Sequence, residues 1–135
     1  MIFIDSNIFI SYYNVDDQNN KLAIKIIKDI EQKKYGEPIT SDYIFDETMT
    51  VTLLRTKNKK RTIELGLYIL KSNIKFLKVE KEIFKKAWNL FCNSNFKMSF
   101  TDFTNQAFLE KFDIKNIATF DREFKKIKNI NIIDN

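Results

Sequence analysis

The chain begins MIFIDSNIF over residues 1–9, where the apolar run Ile2–Ile4 ends at an acid, Asp5. Such a run followed by Ser6 and Asn7 is typical of a buried parallel strand that turns into a helix, with Ser6 or Asn7 capping its first turn. Asp5 would then lie at the carboxyl end of a strand, where ligands of open α/β sheets bind. The simpler alternative is that Asp5 is only a turn or capping acid, and a lone strand-end Asp does not distinguish the two.

Strand and helix patterns alternate along the rest of the chain. The predicted strands after the first are residues 39–41, 74–77, 116–119 and 130–133. The predicted helices are residues 22–30, 43–56, 61–72, 83–91, 102–111 and 122–127, with Thr101 as the cap of the helix from Asp102. This alternation predicts an α/β fold with a mainly parallel sheet and helices on both faces.

Composition favours one compact domain over residues 1–135. The sequence is 44% hydrophobic and has only two Gly and one Pro, so it contains no linker-like tract and no useful repeat. Its apolar runs are shorter than the roughly 18 residues of a membrane span, and Asp5 interrupts what would otherwise be a signal-peptide core. We therefore expect a cytoplasmic protein without a membrane segment.

The chain contains no histidine and a single cysteine, Cys92. This composition excludes a His-containing triad, an imidazole acid–base pair, a Cys-cluster zinc site and an internal disulfide. Catalysis, if present, must use carboxylates, hydroxyls, Lys, Arg or a bound ion. Oxygen ligands of this kind favour Mg²⁺ or Mn²⁺.

The net charge of +5 is compatible with a polyanionic partner. Basic residues are densest over residues 55–61, and a second cluster comprises Lys125, Lys126 and Lys128. Either cluster could contact phosphates. The alternative is that both are solvated surface charge.

Three further acids occupy positions that could converge with Asp5. Glu47 lies three residues after Ile44 in a predicted helix and shares a face with the apolar series Ile44, Val51 and Leu54, although Asp46 is a rival that periodicity cannot exclude. Asp102 opens a helix, where an acid is also favourable simply because of the helix dipole. Asp121 closely follows a predicted strand, as Asp5 does.

Four segments together resemble the acidic motifs of the PIN domain family. They are Phe3-Ile4-Asp5-Ser6-Asn7, Tyr43-Ile44-Phe45-Asp46-Glu47-Thr48, Phe100-Thr101-Asp102-Phe103 with Ala107 beyond, and Ala118-Thr119-Phe120-Asp121-Arg122-Glu123-Phe124. Their order and spacing fit over essentially the whole chain. The third motif departs from many relatives, which have smaller apolar residues where this chain has Phe103, Thr104, Asn105 and Gln106.

The resemblance implies a three-layer α/β/α sandwich and a metal-dependent ribonuclease, most often the toxin of a VapBC-type toxin–antitoxin pair. Asp5 and Asp102 would be the principal ligands of Mg²⁺ or Mn²⁺, and Glu47 and Asp121 would complete the site directly or through water. Asn7 and Thr119 would orient these ligands or serve only as capping and turn residues. The implied partners are RNA and an antitoxin protein.

Two other functions remain open at this stage. One is a catalytically inactive PIN-like module that binds RNA or protein, although a polyanion binder gains nothing from clustered acids. The other is phosphatase chemistry with Asp5 as nucleophile, which Asn7 weakens because it replaces the second acid of an Asp-x-Asp motif.

Apolar residues on several sides of the two helices between Tyr43 and Ser72 predict a further interface. They are Met49, Leu53, Leu65, Leu67, Tyr68 and Ile69. Helices of this kind need more burial than one core face provides. We expect a homodimer contact, an antitoxin contact or both in this region.

Overall fold

A computed structural model describes residues 1–135 and contains one sheet of five parallel strands flanked by six helices. The strands are β1 (Ile2–Ile4), β2 (Pro38–Ser41), β3 (Lys75–Leu77), β4 (Asn116–Ala118) and β5 (Asn131–Ile133). The helices are α1 (Ser6–Tyr13), α2 (Asn20–Glu31), α3 (Asp42–Thr56), α4 (Lys59–Lys71), α5 (Lys81–Asn93) and α6 (Phe100–Lys111), followed by a 3₁₀ helix at Arg122–Lys126. The predicted α/β class and parallel sheet are confirmed.

The strand order β3-β2-β1-β4-β5 makes β1 the centre of the sheet. The chain runs outward from β1 to β3 on one side and then returns to place β4 on the other side of β1. Ile4 pairs with Ala118. Asp5, the residue that follows β1, donates its backbone N–H to the Ala118 carbonyl at 3.0 Å. The carboxyl ends of β1 and β4 therefore form the topological switch point, where open α/β sheets bind ligands.

Strand β1 is buried on both faces, as expected for the central strand of a parallel sheet covered by helices. Phe3 stacks on Phe108 of α6 with ring centroids 5.7 Å apart, and both side chains are buried. Burial of one such ring contributes roughly 1.5–3 kcal/mol. This packing holds α6, and with it Asp102, against the strand that carries Asp5.

Two predicted helix caps were wrong. Asp5 itself caps α1 and accepts the Ser6 N–H at 2.8 Å, whereas Ser6 and Asn7 lie inside the helix. Ser99, not Thr101, caps α6 and accepts the Asp102 N–H at 3.1 Å. In each case a suitable cap residue occurs at more than one neighbouring position, and for α6 the reciprocal hydrogen bonds of Ser99 and Asp102 favour Ser99.

The buried face of α3 also differs from the apolar series predicted to contain Glu47. Ile44, Thr48 and Thr52 are buried, whereas Leu54 is 70% exposed. The Thr48 hydroxyl donates to the Ile44 carbonyl, four residues earlier, whereas the Thr52 hydroxyl is buried without a partner. Because most of the buried residues of α3 are polar, the hydropathy pattern does not reveal which face of this helix is buried.

The apolar residues of the two helices predicted to form an interface fall into two groups. Leu65 and Ile69 belong to the core, and Met49 and Tyr68 pack against it. The outer side of α4 carries a row of exposed apolar residues, Ile63, Leu67 and Leu70. We call these three residues the α4 apolar row. None of the helices is both long and apolar enough to cross a membrane.

Candidate active site at the carboxyl ends of β1 and β4

Asp5 is almost completely buried, and both of its carboxylate oxygens accept two hydrogen bonds. Oδ1 accepts from the Ser6 backbone N–H at 2.8 Å and from Asn105 Nδ2 at 3.2 Å. Oδ2 accepts from the Thr119 hydroxyl at 2.7 Å and from Asn7 Nδ2 at 3.0 Å. Asp5 is therefore a capping acid and also the centre of a polar network, so the two interpretations of the opening motif are compatible.

Thr119 and Asn7 tie the ends of the two central strands together. The Thr119 hydroxyl accepts from Asn7 Nδ2 and from the Asp121 backbone N–H, both at 3.0 Å, while it donates to Asp5. Asn7 Oδ1 accepts the Phe120 N–H at 3.0 Å. The side chain of Asn7 therefore bonds both Asp5 and the segment after β4, and as an amide it cannot supply the second carboxylate of an Asp-x-Asp motif.

Asp102 is the third residue of α6 and forms a capping box with Ser99. Its Oδ2 accepts the Ser99 N–H at 3.0 Å, while the Ser99 hydroxyl accepts the Asp102 N–H. This geometry holds the half-buried carboxylate at the start of the helix that packs on β1. The helix dipole favours a negative charge there, worth about 0.3–1 kcal/mol at an exposed site.

The pKa values of the two aspartates are raised because burial and neighbouring carboxylates disfavour their charged forms. Burial raises the pKa of Asp5 to about 7, and the charges of Asp102 and Glu47 add to this, against the lowering effect of the Thr119 and Ser6 hydrogen bonds. Burial raises the pKa of Asp102 to about 6, with Asp121 and Glu47 adding to the effect and Ser99 opposing it. The charges of Asp102 and Glu47 therefore act on Asp5, and those of Asp121 and Glu47 act on Asp102.

Glu47 enters this cluster from α3, whereas its rival Asp46 is exposed. Glu47 is half-buried, and its Oε2 accepts the Ser6 hydroxyl at 2.6 Å. Ser6 thus links Glu47 to Asp5, since the backbone N–H of the same residue donates to Asp5. The sequence offered no signal that separates the two acids, because the apolar residues of α3 lie on several sides.

Asp121 follows β4 and caps the 3₁₀ helix, where its Oδ1 accepts the Glu123 N–H at 2.9 Å. It is half-buried, and its charge acts on Asp102. The strand-end placement resembles that of Asp5, but two residues, Thr119 and Phe120, separate Asp121 from its strand, whereas Asp5 directly follows β1.

The donor set suits a hard divalent cation because it consists of carboxylate oxygens with no nitrogen or sulfur ligand. No three acidic side chains are arranged to enclose an ion by themselves. Mg²⁺ is commonly held by one or two carboxylates, with waters and phosphate oxygens completing its shell. The pair Asp5 and Asp102 fits that mode, with Glu47 and Asp121 beside it.

Two residues of the network have no counterpart in the predicted site, namely Ser6 as the partner of Glu47 and Asn105 as a partner of Asp5. Asn105 lies three residues after Asp102 on α6, so the two side chains share a helix face. That spacing is visible in the sequence and would have identified Asn105 once α6 was assigned to the site.

The two basic clusters are partly engaged elsewhere. Arg61 donates to the Tyr13 carbonyl at 2.9 Å and lies over the Tyr13 ring, while Arg55 lies 3.9 Å from Asp17. Lys126 pairs with Glu123, and Lys125 lies 3.9 Å from Asp134. These contacts account for four of the basic side chains as structural or paired surface charge.

The sequence model of the PIN domain family matches residues 2–130 of this chain. The chain belongs to the PIN domain family. The resemblance seen in the four acidic motifs is thereby confirmed, and the phosphatase alternative is not supported.

Individual relatives of this PIN domain are distant in sequence. A VapC ribonuclease from Archaeoglobus fulgidus is 24% identical over 123 residues, which cover 90% of this chain and 77% of that protein. The structure of VapC20 from Mycobacterium tuberculosis, a Sarcin-Ricin loop cleaving toxin, has a TM-score of 0.81 at 21% identity and covers 96% of this chain and 98% of its own. VapBC2 from Rickettsia felis, bound to a promoter DNA fragment, has a TM-score of 0.68 at 15% identity, covering 98% and 97%. The solved structures confirm the fold.

Proposed function

We propose that this PIN domain is a divalent-metal-dependent ribonuclease that cleaves RNA phosphodiester bonds and acts as the toxin of a VapBC-type pair in the cytoplasm. The observation that carries the proposal is the pair of acids with raised pKa values, Asp5 and Asp102, at the switch point of the sheet. Buried like charges destabilise a metal-free protein, whereas a bound cation makes the same cluster favourable. The ribonuclease and toxin relatives support the proposal.

Asp5 and Asp102 would hold Mg²⁺ or Mn²⁺, with Glu47 and Asp121 completing the site directly or through water. The bound ion supplies Lewis acidity toward a phosphate oxygen and lowers the pKa of a water. The chain's own residues supply orientation. Thr119, Asn7 and the Ser6 N–H fix the Asp5 carboxylate, and the capping box fixes Asp102.

The test is metal-dependent cleavage of RNA by the purified chain. We expect cleavage in Mg²⁺ or Mn²⁺, none in excess EDTA, and loss of most activity in Asp5→Asn and Asp102→Asn. Glu47→Gln and Asp46→Asn form a matched pair, because the two acids are adjacent on α3 but only Glu47 contacts the cluster. Full activity of Asp5→Asn or in EDTA would refute the proposal, and RNA binding without cleavage by the wild-type chain would favour the inactive binding module.

We propose that the antitoxin binds on the outer side of α4. Leu67 of the α4 apolar row lines a cleft of about 950 Å³ between α2 and α4, together with Tyr68, Ile27 and Ile30. The cleft is lined by apolar side chains together with charged ones such as Glu31, Glu64 and Lys71, and a groove of this kind suits a short amphipathic segment of a partner protein. We also propose that the chain forms a homodimer. Light scattering of the isolated chain tests whether it does.

A further inference from the structure

Asn105 is a fully buried amide whose only hydrogen bond goes to the most buried acid of the site. Its Nδ2 donates to Asp5 Oδ1 at 3.2 Å, and its Oδ1 is buried without a partner. A buried amide costs about 1–3 kcal/mol when its hydrogen bonds are incomplete, so an apolar residue would be the more stable choice at a purely structural position. Gln106 is incomplete in the same way but donates to Glu110 outside the site, so it is the partner of Asn105, Asp5, that indicates a role in the site.

Among the four donors to Asp5, Asn105 differs in its place in the fold. Ser6 and Asn7 belong to the helix that follows β1, and Thr119 follows β4. Only Asn105 comes from α6, the helix that carries Asp102. It is thus the only side chain that ties the Asp5 carboxylate directly to the element bearing the second acid.

The chemistry of the contact suits two acids that must stay close together. The negative charges of Asp5 and Asp102 repel each other. An amide N–H aimed at Asp5 from the same helix face as Asp102 offsets part of this repulsion without adding a charge. The negative charge of Asp5 also explains the orientation of the amide, since the reversed orientation would bring two oxygen atoms together.

We propose that Asn105 is a positioning residue of the metal site, holding the Asp5 carboxylate in place beside Asp102 and thereby raising the affinity for the divalent cation. This inference rests on the proposed function, because it assumes that the two acids bind one ion. Hydrogen-bond partners of metal ligands typically contribute 10–100-fold to metal affinity or activity. Asn105 acts through Asp5 and is not itself a catalytic residue.

The test compares Mn²⁺ affinity in Asn105→Leu and in a matched control, Gln106→Leu. Gln106 is the next residue of α6, is also a buried amide with an unpartnered oxygen, and donates to Glu110 rather than to the site. Calorimetry and melting curves in a Mn²⁺ titration report affinity without relying on activity. We expect the Kd of Asn105→Leu to rise at least about 10-fold and that of Gln106→Leu to stay at the wild-type value.

Two further measurements separate positioning from a general folding defect. Asn105→Ala removes the same donor without the shape of leucine and should weaken Mn²⁺ binding similarly. In cleavage assays, saturating Mn²⁺ should restore most of the rate of both Asn105 variants, with KM for RNA unchanged.

Wild-type Mn²⁺ affinity in both Asn105 variants would overturn the inference, as would an equal loss in Gln106→Leu. A wild-type chain that binds Mn²⁺ but cleaves no RNA would refute the ribonuclease while the affinity comparison still decides the role of Asn105. A wild-type chain that binds no Mn²⁺ would overturn the inference, whatever its activity.

Discussion

At the scale of single residues, Asp102 combines a structural and a proposed metal-binding role that Asp102→Asn can separate. Asparagine keeps an oxygen that can accept the Ser99 N–H, so the capping box survives while the charge is lost. We expect the metal-free variant to be as stable as the wild type or more stable, because repulsion with Asp5 and Asp121 is relieved. Asp102→Ala, which lacks the acceptor, should lose about 1 kcal/mol relative to Asp102→Asn.

The same variant should lose the response to metal. At a free Mn²⁺ concentration of about 100 times Kd, a site present only in the folded state adds roughly 2.7 kcal/mol to wild-type stability. Melting curves in metal-free buffer and across a Mn²⁺ titration measure both effects. Equal metal responses of wild type and Asp102→Asn would contradict a shared site, and a loss of up to about 1 kcal/mol in the metal-free variant would indicate a helix-start charge alone.

The raised pKa values also predict how metal-free stability depends on pH. With a pKa of about 7 against an ordinary 3.8, Asp5 holds its proton more tightly in the folded than in the unfolded chain, and Asp102 at about 6 does so in the same sense. The stability that these protons contribute is fully present below about pH 4 and is lost as pH rises through 6 and 7. Urea unfolding of the metal-free protein should show lower stability at pH 8 than at pH 5.

Asp102→Asn is the control for this pH dependence. It removes one titrating group and part of the repulsion acting on Asp5, so its stability should change less between pH 5 and pH 8. The surface carboxylates whose pKa is lowered by lysines, such as Glu82 and Glu123, titrate below this range. A free energy of unfolding that rises from pH 5 to pH 8 would show that Asp5 and Asp102 do not determine how stability depends on pH in this range.

At the scale of helices and strands, the close contact of α3 and α4 depends on Gly66. A Cβ at this position would lie 3.0 Å from the Met49 sulfur and 3.4 Å from the Phe45 ring. Gly66→Ala should change stability little, because a flexible Met side chain can yield and alanine favours the helix by up to about 1 kcal/mol. Gly66→Leu should cost about 1–3 kcal/mol through overpacking.

Urea denaturation of the two Gly66 variants measures this difference. Comparable stability of Gly66→Leu and Gly66→Ala would mean that the helices can separate without cost. The contact matters to the site because α3 carries Glu47, whose placement depends on how this helix packs against α4 and β2.

At the scale of the whole molecule, the α4 apolar row predicts where the antitoxin binds. Leu67→Lys should abolish co-purification with the protein encoded by the adjacent reading frame, while thermal stability and RNA cleavage remain close to wild type because Leu67 is 44% exposed. Phe84→Lys is the matched control, since Phe84 is 46% exposed but lies on α5. Undiminished capture by Leu67→Lys, or loss only in Phe84→Lys, would move the proposed interface away from α4.

The sequence by itself determined the features that depend on neighbouring residues. The run Ile2–Ile4 followed by Asp5 indicates a buried strand with an acid at its end, because apolar β-rich residues and the acid that stops them are adjacent in the chain. The alternation of strands and helices likewise indicates a parallel sheet, since each parallel connection requires a crossover. The absence of histidine limits the available chemistry before any fold is known.

Only the tertiary structure decided the features that depend on which face of a helix meets which strand. Glu47 rather than Asp46 bonds Ser6 beside Asp5, and Asn105 reaches Asp5 from a position 100 residues away. Both contacts join segments that are far apart in the sequence, so they depend on how the elements pack and not on neighbouring residues. Local sequence patterns specify that acids stand at the ends of elements, whereas the packing of elements specifies which of those acids meet.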